Sequence, residues 1–241
     1  MKHKIAMVLI CVLLTAGIIL TGLRIRTVRV TGAKNYTEEE IEEILFPTPL
    51  YRNTLVCFVR QSLGKKKDIP FVQDYKILFL SPSEVEVIVY EKSIVGYLSY
   101  MSSLMYFDKD GIVVESARQK LPGIPEITGL HFGQIVLYKP LPVESSRIFS
   151  LILNLTQTLQ SYQIPVERIR YDKDLNATLI IGDMDVLLGD AAEMNGKIAE
   201  LSNMLPHIQG ESGELDLRDY EPTDPGRGHS FRRKPPRSEG R

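Results

Sequence analysis

Two pairs of aspartates have the spacing that most resembles a chemical site. Asp108 and Asp110 are spaced like the first two ligands of a calcium-binding loop, and Asp172 and Asp174 could act as paired carboxylates. The remaining calcium ligands are missing, however, and aspartate also favours turns because its side chain hydrogen-bonds the nearby backbone. Asp110 followed by Gly111, between two apolar stretches, is typical of a hairpin turn. We therefore interpret both pairs as turns.

The cysteines and histidines do not indicate a metal site or an activated nucleophile. Cys11 lies in an apolar stretch and Cys57 stands alone after it, while the four histidines lack a second ligand at helical or turn spacing. The sequence has no G-x-S-x-G, H-E-x-x-H or phosphate-binding loop. With 29 basic and 30 acidic residues, the composition does not point to nucleic acid. We expect a protein that is not an enzyme and has no cofactor.

The stretch Ile5–Leu23 is the longest apolar run in the sequence. It contains no charged residue, Asn, Gln or Pro, and a helix of this length spans the hydrocarbon core of a bilayer. A cleaved signal peptide is the alternative, but the residues after the run do not resemble a small-residue cleavage site. The sequence thus predicts a short cytoplasmic segment, 1–4, and a single transmembrane helix, 5–23. Basic residues flank both ends, so their count alone does not decide the orientation.

Residues 24–92 are predicted to form a small α+β unit. Its strands follow from period-two alternation, and its first helix from a capping-box pattern, Thr37 with Glu40. The predicted order is strand, helix, helix, strand, strand. The elements are a strand around Val28–Val30, a helix from Thr37, a helix over Thr54–Leu63, and strands over Val72–Leu80 and Glu84–Glu91.

Residues 93–220 are predicted to form a second α+β domain, a mixed β domain with an antiparallel sheet and flanking helices. Helical spacing of apolar residues predicts helices over Ser145–Tyr162 and Ala191–Leu205. Strands are predicted over Arg168–Tyr171, Ala177–Ile181, Asp185–Leu188 and Gly213–Tyr220. The turn-forming residues are Asp110, Gly111, Pro122 and Gly129.

The last predicted strand, Gly213–Tyr220, is expected at an edge of the sheet. In it Leu215 and Leu217 alternate with charged residues. An edge strand has free N–H and C=O groups, with which a strand of another protein can pair. The tail 221–241 is rich in Pro, Gly, Ser and Arg, and it is predicted to be disordered because it cannot bury enough apolar surface.

Four stretches of the sequence resemble known proteins. The sequence IRTVRVTG, followed by TEEEIEEIL, a second helix and LSPSEVEVIVYEK, resembles a POTRA domain. The pattern Y-x-D-x-D-G-x-V-V, which begins at Tyr106, and the segment Leu121–Gly129 are similar to the FtsQ/DivIB family of cell-division proteins. The segment VLLGDAAEMNGKIAEL also resembles that family.

This resemblance implies a single-pass scaffold of the bacterial divisome, with its N-terminus in the cytoplasm, its domains outside, and enrichment at the division septum. It implies FtsL-type and DivIC/FtsB-type partners, other divisome membrane proteins, lipid around the anchor, and no nucleic acid. The complex would help regulate septal peptidoglycan synthesis. The implied partner-binding strand contains Glu214, Leu215, Asp216, Leu217, Arg218 and Tyr220.

Two other classes of protein are alternatives to a cell-division scaffold. A POTRA-containing protein of a translocation or envelope-assembly system would carry tandem POTRA units followed by a long barrel. A membrane-anchored cell-wall enzyme would need a nucleophile beside a base, and no such pattern is found in the sequence.

Overall fold

The computed structural model describes Met7, Ile10, Gly17 and the ranges 22–208, 210–223 and 230–235. The chain divides into two compact units, Met1–Lys92 and Ser93–Arg241. Both contain helices and strands, so the fold is α+β.

The predicted N-terminal transmembrane helix is not seen among the described residues. No helix within the described residues is both long enough and apolar enough to cross a membrane. Most of the range 5–23, together with residues 1–4, lies outside the described residues. An apolar composition meets only one requirement of a span, which also needs about 20 consecutive helical residues. The structure contains no such run among the residues that it describes, and the prediction of a membrane-spanning helix is wrong on this finding.

The first unit has the predicted order of strand, helix, helix, strand, strand. The elements are β1 (Thr27–Thr31), α1 (Glu38–Leu45), α2 (Thr54–Leu63), β2 (Val72–Ser81) and β3 (Glu84–Glu91). The sheet order is β1-β3-β2, in which β1 runs parallel to β3 and β2 antiparallel to it. One face of β3 is fully buried, because Val85 and Val87 pack in the core beside Ile41 of α1.

The capping box at the start of α1 is confirmed. The backbone N–H of Glu40 donates to Thr37 Oγ1 at 3.2 Å, and the N–H of Thr37 donates to the Glu40 carboxylate at 2.8 Å. This exchange satisfies two backbone donors that the helix itself leaves unpaired. Asn53 caps α2 in a related way, because its side-chain oxygen accepts from the N–H groups of Leu55 and Val56.

The second unit is a nine-stranded sheet with two helices. Its elements are β4 (Gly96–Tyr100), β5 (Ser103–Phe107), β6 (Val113–Ala117), β7 (Glu126–Thr128), α3 (Arg147–Ser161), β8 (Arg168–Tyr171), β9 (Ala177–Ile181), β10 (Met184–Gly189), α4 (Met194–Ile208), β11 (Gly213–Asp216) and β12 (Ser230–Arg233). The strand order is β12-β11-β10-β9-β8-β7-β4-β5-β6. Apolar residues of α3 and α4, among them Ile152, Leu155 and Ile198, form one core with Leu179 and Val186 of the sheet.

The sheet is mixed, whereas an antiparallel sheet was predicted. β7 runs parallel to both β4 and β8, and β10 runs parallel to β11. For β7 with β8 and for β10 with β11, the physical reason is the position of the helices along the chain. Each helix lies between two neighbouring strands, α3 between β7 and β8, and α4 between β10 and β11. Such helical crossovers join parallel strands.

Asp110 and Pro122 lie in turns, and Gly129 lies in a bend with a φ of +84°. Asp108 accepts hydrogen bonds from the N–H groups of Asp110 and Ile112, so its carboxylate holds the turn between β5 and β6. Gly111 in that turn has a φ of +75°, and a Cβ there would lie 2.3 Å from the Phe149 ring. Asp172 makes the same kind of contact with the N–H groups of Asp174 and Asn176. Pro122 precedes a turn glycine, Gly123, with a φ of +75°.

The C-terminal end of the sheet differs from the prediction in two ways. The strand expected over Gly213–Tyr220 ends at Asp216, and it does not lie at the edge, because β12 pairs with it on its outer side. β12 belongs to the tail 221–241, so the prediction of disorder is wrong for Ser230–Arg233. Residues 224–229 and 236–241 of that tail lie outside the described residues. The prediction rested on composition, which does not show that part of the tail can pair with β11.

Candidate partner-binding site

The candidate site is the end of the nine-stranded sheet, where β11 and β12 lie side by side. β11 runs parallel to β10, with Leu215 opposite Val186, and antiparallel to β12, with Leu215 opposite Phe231. This placement changes the interpretation of the residues that the sequence assigned to partner binding. Their strand is the support for an outer strand.

The two leucines of the predicted binding strand are core residues. Leu215 and Leu217 are fully buried and belong to the hydrophobic core of the second unit. The N–H of Leu217 also donates to the carbonyl of Leu187 at 2.9 Å, which extends the pairing with β10 beyond the end of β11. Neither leucine side chain is available to a partner in this structure.

The two charged residues that flank Leu217 bind each other. The guanidinium of Arg218 makes two hydrogen bonds to the Asp216 carboxylate, at 2.9 and 2.6 Å. The backbone N–H of Arg218 donates a third to the same carboxylate at 3.1 Å. This contact holds the pKa of Asp216 below its usual value and raises the pKa of Arg218. The stem of Arg218 covers Gly189 at the end of β10, where a Cβ would lie 3.0 Å from Arg218 Cγ. The Asp216–Arg218 pair therefore holds the residues that follow β11 against the end of β10.

Tyr220 is placed against a helix and not along the sheet edge. A Cβ at Gly196 of α4 would lie 2.5 Å from Tyr220 Cε1. The ring therefore needs a glycine beneath it. Beside this contact Lys197, which is 2% exposed, donates from Nζ to the carbonyl of Leu188 at 2.7 Å. The sequence resemblance included this lysine without giving it a role.

Ion pairs join β12 to the residues around β11. Lys234 Nζ lies 2.5 Å from the Glu214 carboxylate, and Arg233 makes two hydrogen bonds to Glu211, at 2.5 and 2.7 Å. The contact with Arg233 lowers the pKa of Glu211. Because these pairs are partly or largely exposed, each contributes little to the stability of the fold.

One aromatic side chain attaches β12 to the core. Phe231 is partly buried and packs against the hydrophobic core of the second unit. A Cβ at Gly213 would lie 2.8 Å from Phe231 Cζ, so the glycine leaves the space that the ring occupies. Sequence reasoning missed β12, although Phe231 is the only large apolar residue of the tail and was the one available signal.

The outer side of β12 carries backbone groups that pair with no other strand of the part of the chain that the structure describes. The N–H of Lys234 donates to the carbonyl of Ser212 at 3.0 Å, so it points towards the β11 side. Since N–H directions alternate along a strand, those of Arg232 and Ser230 point the same way, and those of Phe231 and Arg233 point outwards. Within the described residues no strand lies beyond β12.

The groups at this edge can pair with a backbone and with charges. They do not form a metal site, because within the described ranges no group of three His, Cys, Asp or Glu residues is placed to hold an ion. Cys57, in the first unit, is buried, and this burial raises the pKa of its thiol above its usual value.

Comparison with known proteins gives one cell-division relative. The chain is 22% identical over 203 residues to the cell division protein DivIB of Clostridium acetobutylicum, a match that covers 81% of this chain and 79% of that protein. No family model matches the chain. The similarity supports a DivIB/FtsQ-like relationship and a role in cell division.

Proposed function

We propose that this chain is a scaffold of the cell-division machinery that binds an extended segment of a partner protein along the outer side of β12. The similarity to DivIB supports the process. The observation that supports the mode of binding is the position of β12 as a terminal strand whose Phe231 and Arg233 N–H groups point away from the sheet. Strand addition uses such groups to bind an extended peptide.

The proposed partners are FtsL-type and DivIC/FtsB-type division proteins, and the proposed place of action is the division septum. In this scheme the chain recruits its partners without catalysis, and the complex helps regulate septal peptidoglycan synthesis. The extracytoplasmic location that the resemblance implies depends on a membrane-spanning helix, and no such helix is seen among the described residues, so it forms no part of the proposal.

The residues first assigned to the partner acquire a supporting role. Leu215 and Leu217 anchor β11 in the core, and Glu214 holds Lys234 of the outer strand. Asp216 and Arg218 close the end of the strand over Gly189. Their mutation would weaken partner binding indirectly, by displacing β12, and not through lost partner contacts.

The test uses a proline at an outward-facing position. Arg233→Pro removes a donor that points away from β11, and Arg233→Ala is the matched control, because both variants lose the ion pair with Glu211. Binding to the purified FtsL-type and DivIC/FtsB-type proteins is measured by titration calorimetry. One backbone hydrogen bond contributes about 1 kcal/mol, so we expect Arg233→Pro to weaken binding roughly fivefold relative to Arg233→Ala.

Circular dichroism checks that both variants are folded. Equal affinity of the two folded variants would overturn strand addition at β12. Absence of binding by the unaltered chain would overturn the partner assignment itself. Deletion of Glu214–Tyr220 is a poorer test, because it removes two core leucines.

A further inference from the structure

Helix α2 presents an apolar face to solvent. Its inward face carries the buried Cys57, whereas Leu55, Val59 and Leu63, on the outer side, are 40%, 49% and 85% exposed. Phe58 lies at the border of this face: it is 55% exposed, and its ring makes an edge contact with Phe79 of β2. A helix that packs on a sheet normally presents polar residues on this side. The exposed apolar face is therefore unusual for the surface of a small α+β unit.

The charged residues in and around this helix, within the range 44–67, are all basic. The range 44–67 contains no aspartate or glutamate, although the whole chain has 30 acidic and 29 basic residues. Its charged residues are Arg52, Arg60, Lys65, Lys66 and Lys67. Positive charge is thus concentrated beside the apolar face, and Lys65 in particular is exposed directly after the end of α2.

Three of these five basic residues contact other side chains of the same unit. Arg52 pairs with Glu42, Lys66 pairs with Asp74 at 2.5 Å, and Arg60 lies 4.4 Å from the ring centre of Tyr51. These contacts fix the flanks of the helix. They do not cover its apolar face.

A further apolar sequence joins the unit beside α2. The N–H of Thr54, the first residue of the helix, donates to the carbonyl of Leu23 at 3.0 Å. Leu23 is the last residue of the apolar run that begins at Ile5. Leu50, in the turn before the helix, is 63% exposed. Exposed apolar side chains therefore extend beyond the helix itself.

We infer that α2 is a lipid-contacting helix that lies flat on an anionic membrane surface. Its aliphatic and phenyl side chains enter the boundary of the acyl chains, and its basic flank contacts the anionic headgroups. An exposed apolar helix face with a basic flank is the pattern of interfacial helices. The absence of acidic residues throughout the range 44–67 favours lipid over a protein partner. The exposed Ser62 lies among the apolar residues of the outward face, and it carries no charge. The inference requires no membrane-spanning element, and it does not depend on partner binding at β12.

The chain contains no tryptophan, which allows a direct test in the full-length protein. F58W introduces a single fluorophore into the apolar face, and Y162W introduces one at a half-exposed position of the second unit as the matched control. Vesicles of phosphatidylcholine alone are compared with vesicles that also contain phosphatidylglycerol. We expect anionic vesicles to shift the F58W emission to shorter wavelength, with quenching by acyl-brominated lipid, and to leave Y162W unchanged.

Two second-site changes in the F58W chain separate the two parts of the inference. L63Q tests the apolar contact and K65Q the charge, and circular dichroism verifies that both variants are folded. Loss of one basic residue near an anionic surface is expected to lower the apparent vesicle affinity about fivefold. L63Q is expected to reduce the quenching.

Several results would overturn the inference. These are an equal F58W shift with both vesicle types, an equal shift of Y162W, unchanged affinity of both second-site variants, or no shift at all. A blue shift that grows with protein concentration without lipid would identify a second copy of the chain as the occupant instead.

Discussion

Lys197 of α4 and Leu188 of β10 are joined by a buried hydrogen bond of 2.7 Å between the lysine Nζ and the leucine carbonyl oxygen. The Lys197 side chain is 3% exposed, and its nearest carboxylate, that of Asp190, is 3.4 Å away and 72% exposed. The lysine is thus held mainly by backbone carbonyls, including that of Asp190 at 3.3 Å. It fixes α4 to the strand that supports β11.

Lys197→Met tests this link. The methionine fills the volume of the lysine stem but leaves the Leu188 carbonyl without its charged donor, so we expect a loss of about 1–3 kcal/mol in the free energy of unfolding. Asp190→Asn is the control, with an expected effect within about 1 kcal/mol because the Asp190 carboxylate is mostly exposed and lies 3.4 Å from the lysine Nζ. Both values come from urea denaturation. Equal losses in the two variants would show that the carboxylate, and not the carbonyl, holds the lysine.

Gly129 gives a second prediction, on the backbone between β7 and α3. It has a φ of +84°, and a Cβ there would lie 1.8 Å from the carbonyl oxygen of Tyr171. Gly129→Ala must therefore move the backbone of β8, and we expect it to destabilise the fold by more than about 2 kcal/mol. Gly123 has a φ of +75° but open space around its Cβ position, so Gly123→Ala bears only the conformational cost of about 1 kcal/mol. Thermal denaturation of both variants checks the difference, and equal shifts in Tm would contradict it.

Local chemistry accounts for the part of the fold that the sequence predicts. The capping box of Thr37 and Glu40, the alternating valines of β3 and the aspartate turn at Asp108 each act within a few residues, so their patterns are visible along the chain. The predicted order of elements in the first unit is confirmed for the same reason.

The edge of the second sheet depends on distant pairing and was predicted incorrectly. Whether β11 is an outer strand is decided by Phe231, which is 16 positions beyond Leu215 along the chain and opposite it in the sheet. Nothing in the alternation of Leu215 and Leu217 reports on that neighbour. The parallel pairing of β10 with β11 is likewise set by the crossover through α4, not by the residues of either strand.

The attachment of β12 is predicted to weaken at low pH. The hydrogen bonds from Arg233, on β12, lower the pKa of Glu211 in the folded chain. A group whose pKa is lowered by folding contributes stability above its unfolded value, near 4, and loses that contribution as the pH falls through the folded value. We therefore expect β12 to loosen below about pH 4 while the sheet core remains folded.

Nuclear magnetic resonance can follow this change through the amide signals of Phe231 and Leu215. The Phe231 signal should move with pH below about 4, and that of the buried Leu215 should move less. Glu211→Gln removes the titrating group that binds Arg233, so the acid-dependent change at Phe231 should shrink. An unchanged titration in this variant would show that the Glu211–Arg233 pair does not hold the strand.

Two buried tyrosines give the sharpest test of hydrogen bonding in the core. The hydroxyl of Tyr171 is buried with no hydrogen-bond partner among the described residues, and burial raises its pKa above the usual value. The hydroxyl of Tyr106 donates to the carbonyl of Gln119 at 3.0 Å and accepts from the N–H of Leu121 at 2.9 Å. The same chemical change, removal of one oxygen, therefore has opposite expected effects at the two positions.

Tyr171→Phe removes a desolvated hydroxyl that gains nothing in the folded state, so we expect unchanged or higher stability, by up to about 1 kcal/mol. Tyr106→Phe leaves the Leu121 N–H without its acceptor, and we expect a loss of about 1–3 kcal/mol. Urea denaturation of both variants gives the two free energies of unfolding under identical conditions. A loss at Tyr171 as large as that at Tyr106 would mean that the Tyr171 hydroxyl does find a partner in solution. Tyr171 lines a small space together with Leu155 and Met194. An ordered water in that space would be the first candidate for the partner.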